Sequence, residues 1–326
     1  MFRILHLSDL HARETSAWST TPILSQAKKT ILEQANAVNI DLVVFTGDIA
    51  FSGKKEEYAI AQAWLDDLCL GTSGLNLQKG QILLVPGNHD VDRKLIGPTA
   101  GAIEEVLKKA TTEAAVANFY DDGDSKKALL KRHAAYFDFC ATFLGDAAPP
   151  GHCWSQTFKA KTGGRIRVDG LNTSWLCRGD DDHRRLLVGQ SQLTELIKVH
   201  AQAVKTHGEP NVRITLMHHP LADLMEFDES NTADYLKQNT DVVLRGHLHK
   251  AEATERMTNT GGFLELAAGA LHDTHEAPNR FSILDVSDDL SELRVSTFLW
   301  QSGRWILDRN LYDTADGVGT FRLKKN

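Results

Sequence analysis

Seven side chains of metal-binding type stand at the ends of apolar runs in this chain. Asp9-Leu-His11 follows the run Ile4 to Leu7, Gly47-Asp48 follows Leu42 to Phe45, and Gly87-Asn-His-Asp90 follows Ile82 to Val85. His218 follows Val212 to Met217, and Gly246-His-Leu-His249 follows Val242 to Leu244. Carboxylate and amide oxygens mixed with imidazole nitrogens suit Mn, Fe or Zn, whereas a thiolate site would draw on cysteines. Asp9, His11, Asp48, Asn88, His218, His247 and His249 are too many for one ion. They suit two ions about 3.5–4 Å apart with a shared carboxylate, an arrangement that holds the attacking and leaving oxygens of a phosphoryl transfer.

Taken singly these signals are weak. Asp-x-His is a common turn or cap sequence, and a His-His pair such as His218-His219 usually contains one structural member. Their strength lies in their joint occurrence. His219 reads as a packing neighbour of a ligand, and His133, His152, His183, His200 and His207 read as surface histidines. His272 and His275 follow a Gly269-containing turn, a position from which they could approach the site.

The elements that must position these residues follow from periodicity. The apolar runs above, with Ile166 to Leu171, read as buried strands. Between them, Ile23, Ala27, Ile31, Leu32, Ala35 and Val38 form one helical stripe, and Tyr58, Ala61, Trp64, Leu65 and Leu68 form another. Such alternation is a layered α/β plan, in which loops beyond the carboxyl ends of the strands make the functional crevice. After Leu244 the runs Phe263 to Leu266, Phe281 to Val286, Leu293 to Leu299 and Trp305 to Leu307 predict a second, mostly antiparallel sheet. Residues 91 to about 150 interrupt the rhythm with two helical stretches, Ile103 to Ala117 and Lys126 to Phe143, which Pro149-Pro150-Gly151 closes.

Composition sets outer bounds. At 326 residues, 42% hydrophobic and 24% charged, the chain can bury a sizeable core as a single domain spanning 1–326. Its net charge of −7 provides no global field for polyanions, and the basic doublets Lys28-Lys29, Lys54-Lys55, Lys126-Lys127 and Arg184-Arg185 are scattered like solvated helix faces. Cys69, Cys140, Cys153 and Cys177 show no paired spacing, so reduced thiols in the cytoplasm are expected. No apolar run reaches the ~20 residues of a membrane span, and Met1 leads straight into Arg3-Ile-Leu-His-Leu7, so neither export nor insertion is expected.

In order, Asp9-x-His11, Gly47-Asp48, Gly87-Asn-His-Asp90, His218 and Gly246-His-x-His249 resemble the signature of the calcineurin-like metallophosphoesterase superfamily. Ser8-Asp-Leu-His11, Val85-Pro-Gly-Asn-His-Asp90 and Gly246-His-Leu-His249 are most similar to the bacterial branch that includes class III cyclic nucleotide phosphodiesterases. The resemblance implies a four-layer α/β/β/α sandwich of two mixed sheets flanked by helices, with residues 91–150 as a helical insertion or cap and 260–326 as a strand-rich end. It also implies that Asp9, His11 and His249 hold one divalent ion, that Asn88, His218 and His247 hold the other, and that Asp48 bridges them. Mn is the first expectation for both ions, with Fe or Zn as alternatives. His89 is then the proton donor to the leaving oxygen, a metal-bridging hydroxide the nucleophile, and Arg93 a candidate substrate-binding residue.

Phosphoprotein phosphatases of the superfamily continue the second motif with an Asp-Arg pair, but here those positions hold Phe51 and Ser52. Without that arginine fork a phosphate dianion loses its best-shaped partner. The expected activity is therefore hydrolysis of a small nucleotide-like phosphodiester, linear or cyclic. The alternative is a metal-dependent DNA or RNA nuclease, with Lys108-Lys109, Lys126-Lys127 and Lys131-Arg132 tracking a nucleic-acid backbone. A non-catalytic scaffold of the same fold is the third reading, disfavoured by the intact ligand set.

Overall fold

The computed structural model describes residues 1–15, 22–149, 151–179, 182–258, 261–273 and 278–323. Three strands open the chain in parallel: β1 (Phe2–Leu7), β2 (Leu42–Thr46) and β3 (Ile82–Val85), linked by α1 (Pro22–Ala37) and α2 (Lys55–Leu65). The 91–150 segment contains four helices rather than two: α3 (Pro98–Leu107), α4 (Glu113–Tyr120), α5 (Gly123–Leu130) and α6 (Ala134–Leu144). The polar run Lys108-Lys-Ala-Thr-Thr112 breaks the first stretch, and the turn Lys131–His133 breaks the second. Pro150, within the expected closing turn, lies outside the described residues.

A second sheet grows from β4 (Trp154–Lys159), β5 (Arg165–Gly170), β6 (Val212–Leu216), β7 (Val242–Arg245), β8 (Glu252–Thr258) and β9 (Gly261–Ala267), with α7 (Gln190–His207) and α8 (Glu226–Asn239) as its helices. Its spatial order is β4-β5-β6-β7-β9-β8, with β5, β6, β7 and β9 parallel. The strands β10 (Arg280–Val286), β11 (Glu292–Gln301), β12 (Arg304–Leu307) and β13 (Gly319–Arg322) return to the first sheet, where β10 pairs antiparallel with β1. The expected separate C-terminal sheet is thus corrected: the late strands divide between two mixed sheets. Each parallel block needs its open edge covered, and antiparallel strands can do this with short connections.

Alternation within strands separates three cores. Ile4, Val44, Leu83, Val168, Ile214, Leu244 and Leu266 meet between the sheets. Leu5, Val43, Phe45 and Ile283 face the opposite way, against α1, α2 and α6. The outer face of the second sheet packs Val243 and Phe263 against residues of α3, α4, α7 and α8. These are the four layers α/β/β/α. The 91–150 segment joins both outer layers, and its residues Val91, Asp92, Arg93 and Lys94 line a cavity beside His89. Among the described residues no helix is long and apolar enough to cross a membrane.

Two histidines expected at the surface are buried. His133 Nε2 lies 3.0 Å from Ser174 Oγ, and His200 Nε2 lies 3.0 Å from Asp169 Oδ1. Each sits where a helix meets a sheet, and a polar partner offsets the desolvation that apolar periodicity cannot reveal. His183 and His207 are exposed, and His152 is half-buried.

Arg132 anchors the 91–150 segment. Fully buried, it ion-pairs with Glu104 of α3, which also lies 2.6 Å from Arg178 Nε, and it donates to the carbonyls of Leu129 (3.0 Å) and Cys177 (2.9 Å). Removing Arg132 leaves buried Glu104 with only the part-exposed Arg178 and takes the donor from two carbonyls, so Arg132→Ala is expected to lose about 3 kcal/mol in urea unfolding. A loss below about 1 kcal/mol would show the anchor to be dispensable.

Asp228 of α8 accepts from the backbone N–H groups of Val188 (2.6 Å) and Gly189 (2.9 Å), yet burial pushes its carboxyl up to about 7. The folded state therefore binds this proton more tightly than the unfolded chain, and the associated stability declines as pH rises from about 4 towards 7. Asp228→Asn should flatten that part of the stability profile. An unchanged slope would assign it to other groups.

Candidate metal centre

The five loops leaving β1, β2, β3, β6 and β7 converge at the carboxyl ends of both sheets. The first two are tied together, because Leu10 and His11 donate their N–H groups to Asp48 O at 2.9 and 3.0 Å, and Asp9 donates to Gly47 O at 3.0 Å. Asp9, His11, Asp48, His247 and His249 all have φ between 50° and 76°. Left-handed backbone is uncommon for residues other than glycine and persists where the surroundings over-determine it. Here it turns successive side chains towards one point. Gly47 and Gly246 make the approach possible: a Cβ on Gly47 would collide with the His218 ring, and one on Gly246 with Ser8 Oγ and Asp9 Oδ2.

Asp9, Asp48 and His218 are at most 1% exposed. Asp48 Oδ2 lies 3.4 Å from His11 Nε2 and 3.2 Å from His218 Nε2, while its Oδ1 accepts from His89 N at 2.8 Å. Asn88 Oδ1 lies 3.0 Å from His218 Nε2 and 3.1 Å from His247 Nδ1. His249 Nε2 lies 3.2 Å from Asp9 Oδ1. The structure therefore brings all seven side chains named from the sequence into one contiguous cluster. Ligand atoms of Asp9, His11, Asp48 and His249 fall within 4.8 Å of one another, as do those of His218, His219 and His247.

The electrostatics call for cations. Burial alone would lower His218, but Asp48 lifts it to about 9, and His249 rises to about 10 because bonds to Asp273 and Asp9 outweigh its desolvation. Burial would raise Asp48, yet the His218 charge and the bonds from His11 and His218 hold it well below the usual carboxylate range. His247, opposed by burial and by His218, falls to about 4. His218 Nδ1 faces Thr46 O at 2.6 Å, and in the neutral ring donation there would leave the Nε2 lone pair on the side of Asp48 and Asn88. His11 Nδ1 has no hydrogen-bond partner among the described residues, and its Nε2 has only the 3.4 Å contact with Asp48, although the ring is buried. A proton can satisfy one such contact; divalent ions fit the set as a whole, with donor types that match Mn, Fe or Zn.

Several supporting residues were not identified from the sequence. Asp273 Oδ2 lies 2.6 Å from His249 Nδ1, and Asp223 Oδ2 lies 3.5 Å from His247 Nε2, placing a carboxylate behind each imidazole. Such partners fix ring orientation at metal sites. Asp90 accepts from Gly87 N (2.9 Å), Ala50 N (3.0 Å) and Tyr58 Oη (2.9 Å), locking the Asn88 loop to the Asp48 loop. Burial and the charge of Asp48 push its carboxyl up to about 6. Asp90 follows Asn88-His89 directly, which was the available signal; Asp223 and Asp273 carried none. His219 is engaged on both nitrogens, by Thr173 Oγ1 at 2.8 Å and Cys177 Sγ at 3.6 Å. The backbone N–H of His272 donates to Asp9 O at 3.2 Å, which places this residue beside the Asp9 loop, whereas His275 lies outside the described residues.

His89 holds a different place. Its Nδ1 lies 2.7 Å from Phe51 O, and its ring stacks on Phe51 with centroids 5.2 Å apart, 4.8 Å from the His11 ring. Donation from Nδ1 to that carbonyl leaves Nε2 to exchange a proton. Arg93 lies with His89 and Asn88 around a cavity of about 250 Å³.

Comparison with known proteins gives one family model, described as calcineurin-like phosphoesterase, matching residues 2–251. The chain is 26% identical over 308 residues to YydB, an uncharacterized metallophosphoesterase-like protein of Bacillus subtilis, covering 92% of this chain and 60% of that protein's length. Among solved structures it is similar to Vps29 of Entamoeba histolytica, at 14% identity and TM-score 0.37 over 94% of this chain and 97% of that one. It is also similar to the NAD nucleotidase NadN of Haemophilus influenzae, at 11% identity and TM-score 0.42 over 94% and 48%.

Metal loading can be checked by stability. In chelator-stripped protein, Mn at 100 times its dissociation constant should add about 2.7 kcal/mol, read as a rise in Tm. Asp48→Asn keeps the shape but removes the central charge, and should abolish most of that rise. Equal Mn-induced rises in both proteins would count against Asp48 as a ligand.

Proposed function

Because the chain belongs to the calcineurin-like phosphoesterase family, we propose that it is a metal-dependent phosphodiesterase that hydrolyses a P–O bond in a nucleotide-like diester. The observation that carries this reading is the convergence of seven buried or half-buried ligand-type side chains beside a histidine that is not one of them. Asp9, His11 and His249 would hold one ion, Asn88, His218 and His247 the other, and Asp48 both. When bound, such a pair supplies a nucleophilic oxygen at neutral pH and neutralises charge developing on phosphorus.

The protein's own groups do the rest. His89, oriented by Phe51 O, places Nε2 to give its proton to the leaving oxygen as the P–O bond breaks. Asp48 fixes the loop that carries it, its Oδ1 accepting from His89 N. Where a dianion clamp would require an arginine fork, Phe51 stacks on His89, and Ser52 Oγ donates to Glu57 Oε1 at 2.7 Å. The second negative charge of a monoester therefore finds no fork at this position, which supports a diester substrate. The four unpaired cysteines fit a reducing compartment such as the cytoplasm.

With Mn, bis(p-nitrophenyl) phosphate should be hydrolysed faster than p-nitrophenyl phosphate, and small diesters faster than single- or double-stranded DNA. Faster cleavage of long DNA, with affinity falling steeply as salt rises, would favour the nuclease instead. His89→Ala should lose roughly 10²–10⁴-fold in kcat on a nucleoside leaving group and much less on the aryl group, with metal content retained. Equal losses on the two substrates would remove the proton-donor role.

A further inference from the structure

The cavity of about 250 Å³ beside His89 is lined by Phe51, Ser52, Lys54, Asn88, His89, Val91, Asp92, Arg93 and Lys94. It is smaller than the ~300–1,000 Å³ that encloses a drug-sized ligand, so it takes part of a substrate rather than the whole. Its described lining is unlike the molecule as a whole: Lys54 and Lys94 line it together with Arg93, beside one described carboxylate, Asp92, in a chain of net charge −7. Asp92 Oδ1 is itself engaged by Lys94 N at 3.0 Å, capping the short turn that carries Arg93 and Lys94. Lys54, Arg93 and Lys94 are exposed, and none of the described ion pairs involves Lys54 or Lys94. The Phe51 ring, which could have stacked on a base, is already covered by His89 and by the Arg13 guanidinium at 3.6 Å from its centroid. The pocket is thus built to read negative charge.

We infer that this pocket is a second-phosphate subsite, and that the substrate is a nucleotide diester whose leaving alcohol carries a further phosphoryl group. The inference rests on the phosphodiesterase reading and names its substrate class. Its direction follows from His89. The proton donor faces the leaving oxygen, and His89 and Asn88 form the wall shared by the pocket and the metal centre. A group seated among Lys54, Arg93 and Lys94 is therefore attached to the alcohol that departs. Hydrolysis adds water across the P–O bond: the hydroxyl goes to phosphorus, the proton to the alcohol, and the second phosphate leaves with that alcohol unchanged. A cyclic mononucleotide has no such group and would leave the subsite empty.

The test compares a dinucleoside monophosphate with the same compound bearing one terminal phosphate, at its 5′ or its 3′ end. Equilibrium binding to chelator-treated protein measures recognition without turnover, and kcat/KM with Mn measures it during turnover. Charge-assisted hydrogen bonds should make one phosphorylated isomer bind roughly 10–100-fold more tightly than the unphosphorylated compound. In Lys54→Ala/Lys94→Ala that ratio should fall towards one, and Lys94→Glu should invert it. Equal binding of all three compounds by the unaltered protein, or a preference that survives both variants, would overturn the subsite. Bis(p-nitrophenyl) phosphate separates the two levels: its hydrolysis without terminal-phosphate discrimination removes only the subsite, whereas no hydrolysis with Mn removes the phosphodiesterase reading as well.

Discussion

Asp9 and Asp48 bring two carboxyl groups out of water into a cluster of imidazoles and an amide, and much else in the structure follows from that placement. Buried charge of one sign has to be matched. In the protein alone the match is made by protons, which is why His218 and His249 are lifted to about 9 and 10 despite desolvation. Divalent ions would make the same match with fewer particles.

The fold supplies the rigidity for this. Two mixed sheets place the carboxyl ends of β1, β2 and β3 beside those of β6 and β7, and the core between them fixes the relative height of the five loops. Left-handed backbone at Asp9, His11, Asp48, His247 and His249 is unfavourable locally and is held by surrounding bonds, including those from the Asp9–His11 loop to Gly47 and Asp48. Asp90, Asp223 and Asp273 brace the loops and rings from behind. The site is a property of the scaffold more than of any one loop.

Much of this was legible in the sequence. The strands that carry the site are short and buried on both faces, so Leu42 to Phe45 and Ile82 to Val85 appear as uninterrupted apolar runs with little ambiguity. The chemistry-bearing residues follow those runs directly. Other parts were not legible, for physical reasons. Strand β8, Glu252–Thr258, lies at a sheet edge with mostly exposed side chains, so no apolar pattern marks it. The return of β10 to pair with β1 is a long-range choice that local periodicity does not encode. Arg132 and His133 look like surface residues until tertiary partners such as Glu104 and Ser174 are known. Asp223 and Asp273 lie far in sequence from the histidines they contact, and an isolated aspartate gives no sign of what it will touch.

The central claim is that the carboxylates and imidazoles form one centre for two ions with Asp48 between them. Anomalous diffraction from crystals grown with Mn tests it directly. Two anomalous peaks are expected, one among Asp9, His11, Asp48 and His249 and one among Asp48, Asn88, His218 and His247, about 3.5–4 Å apart. A single peak that does not touch Asp48, or no peak within reach of these residues, would contradict the account.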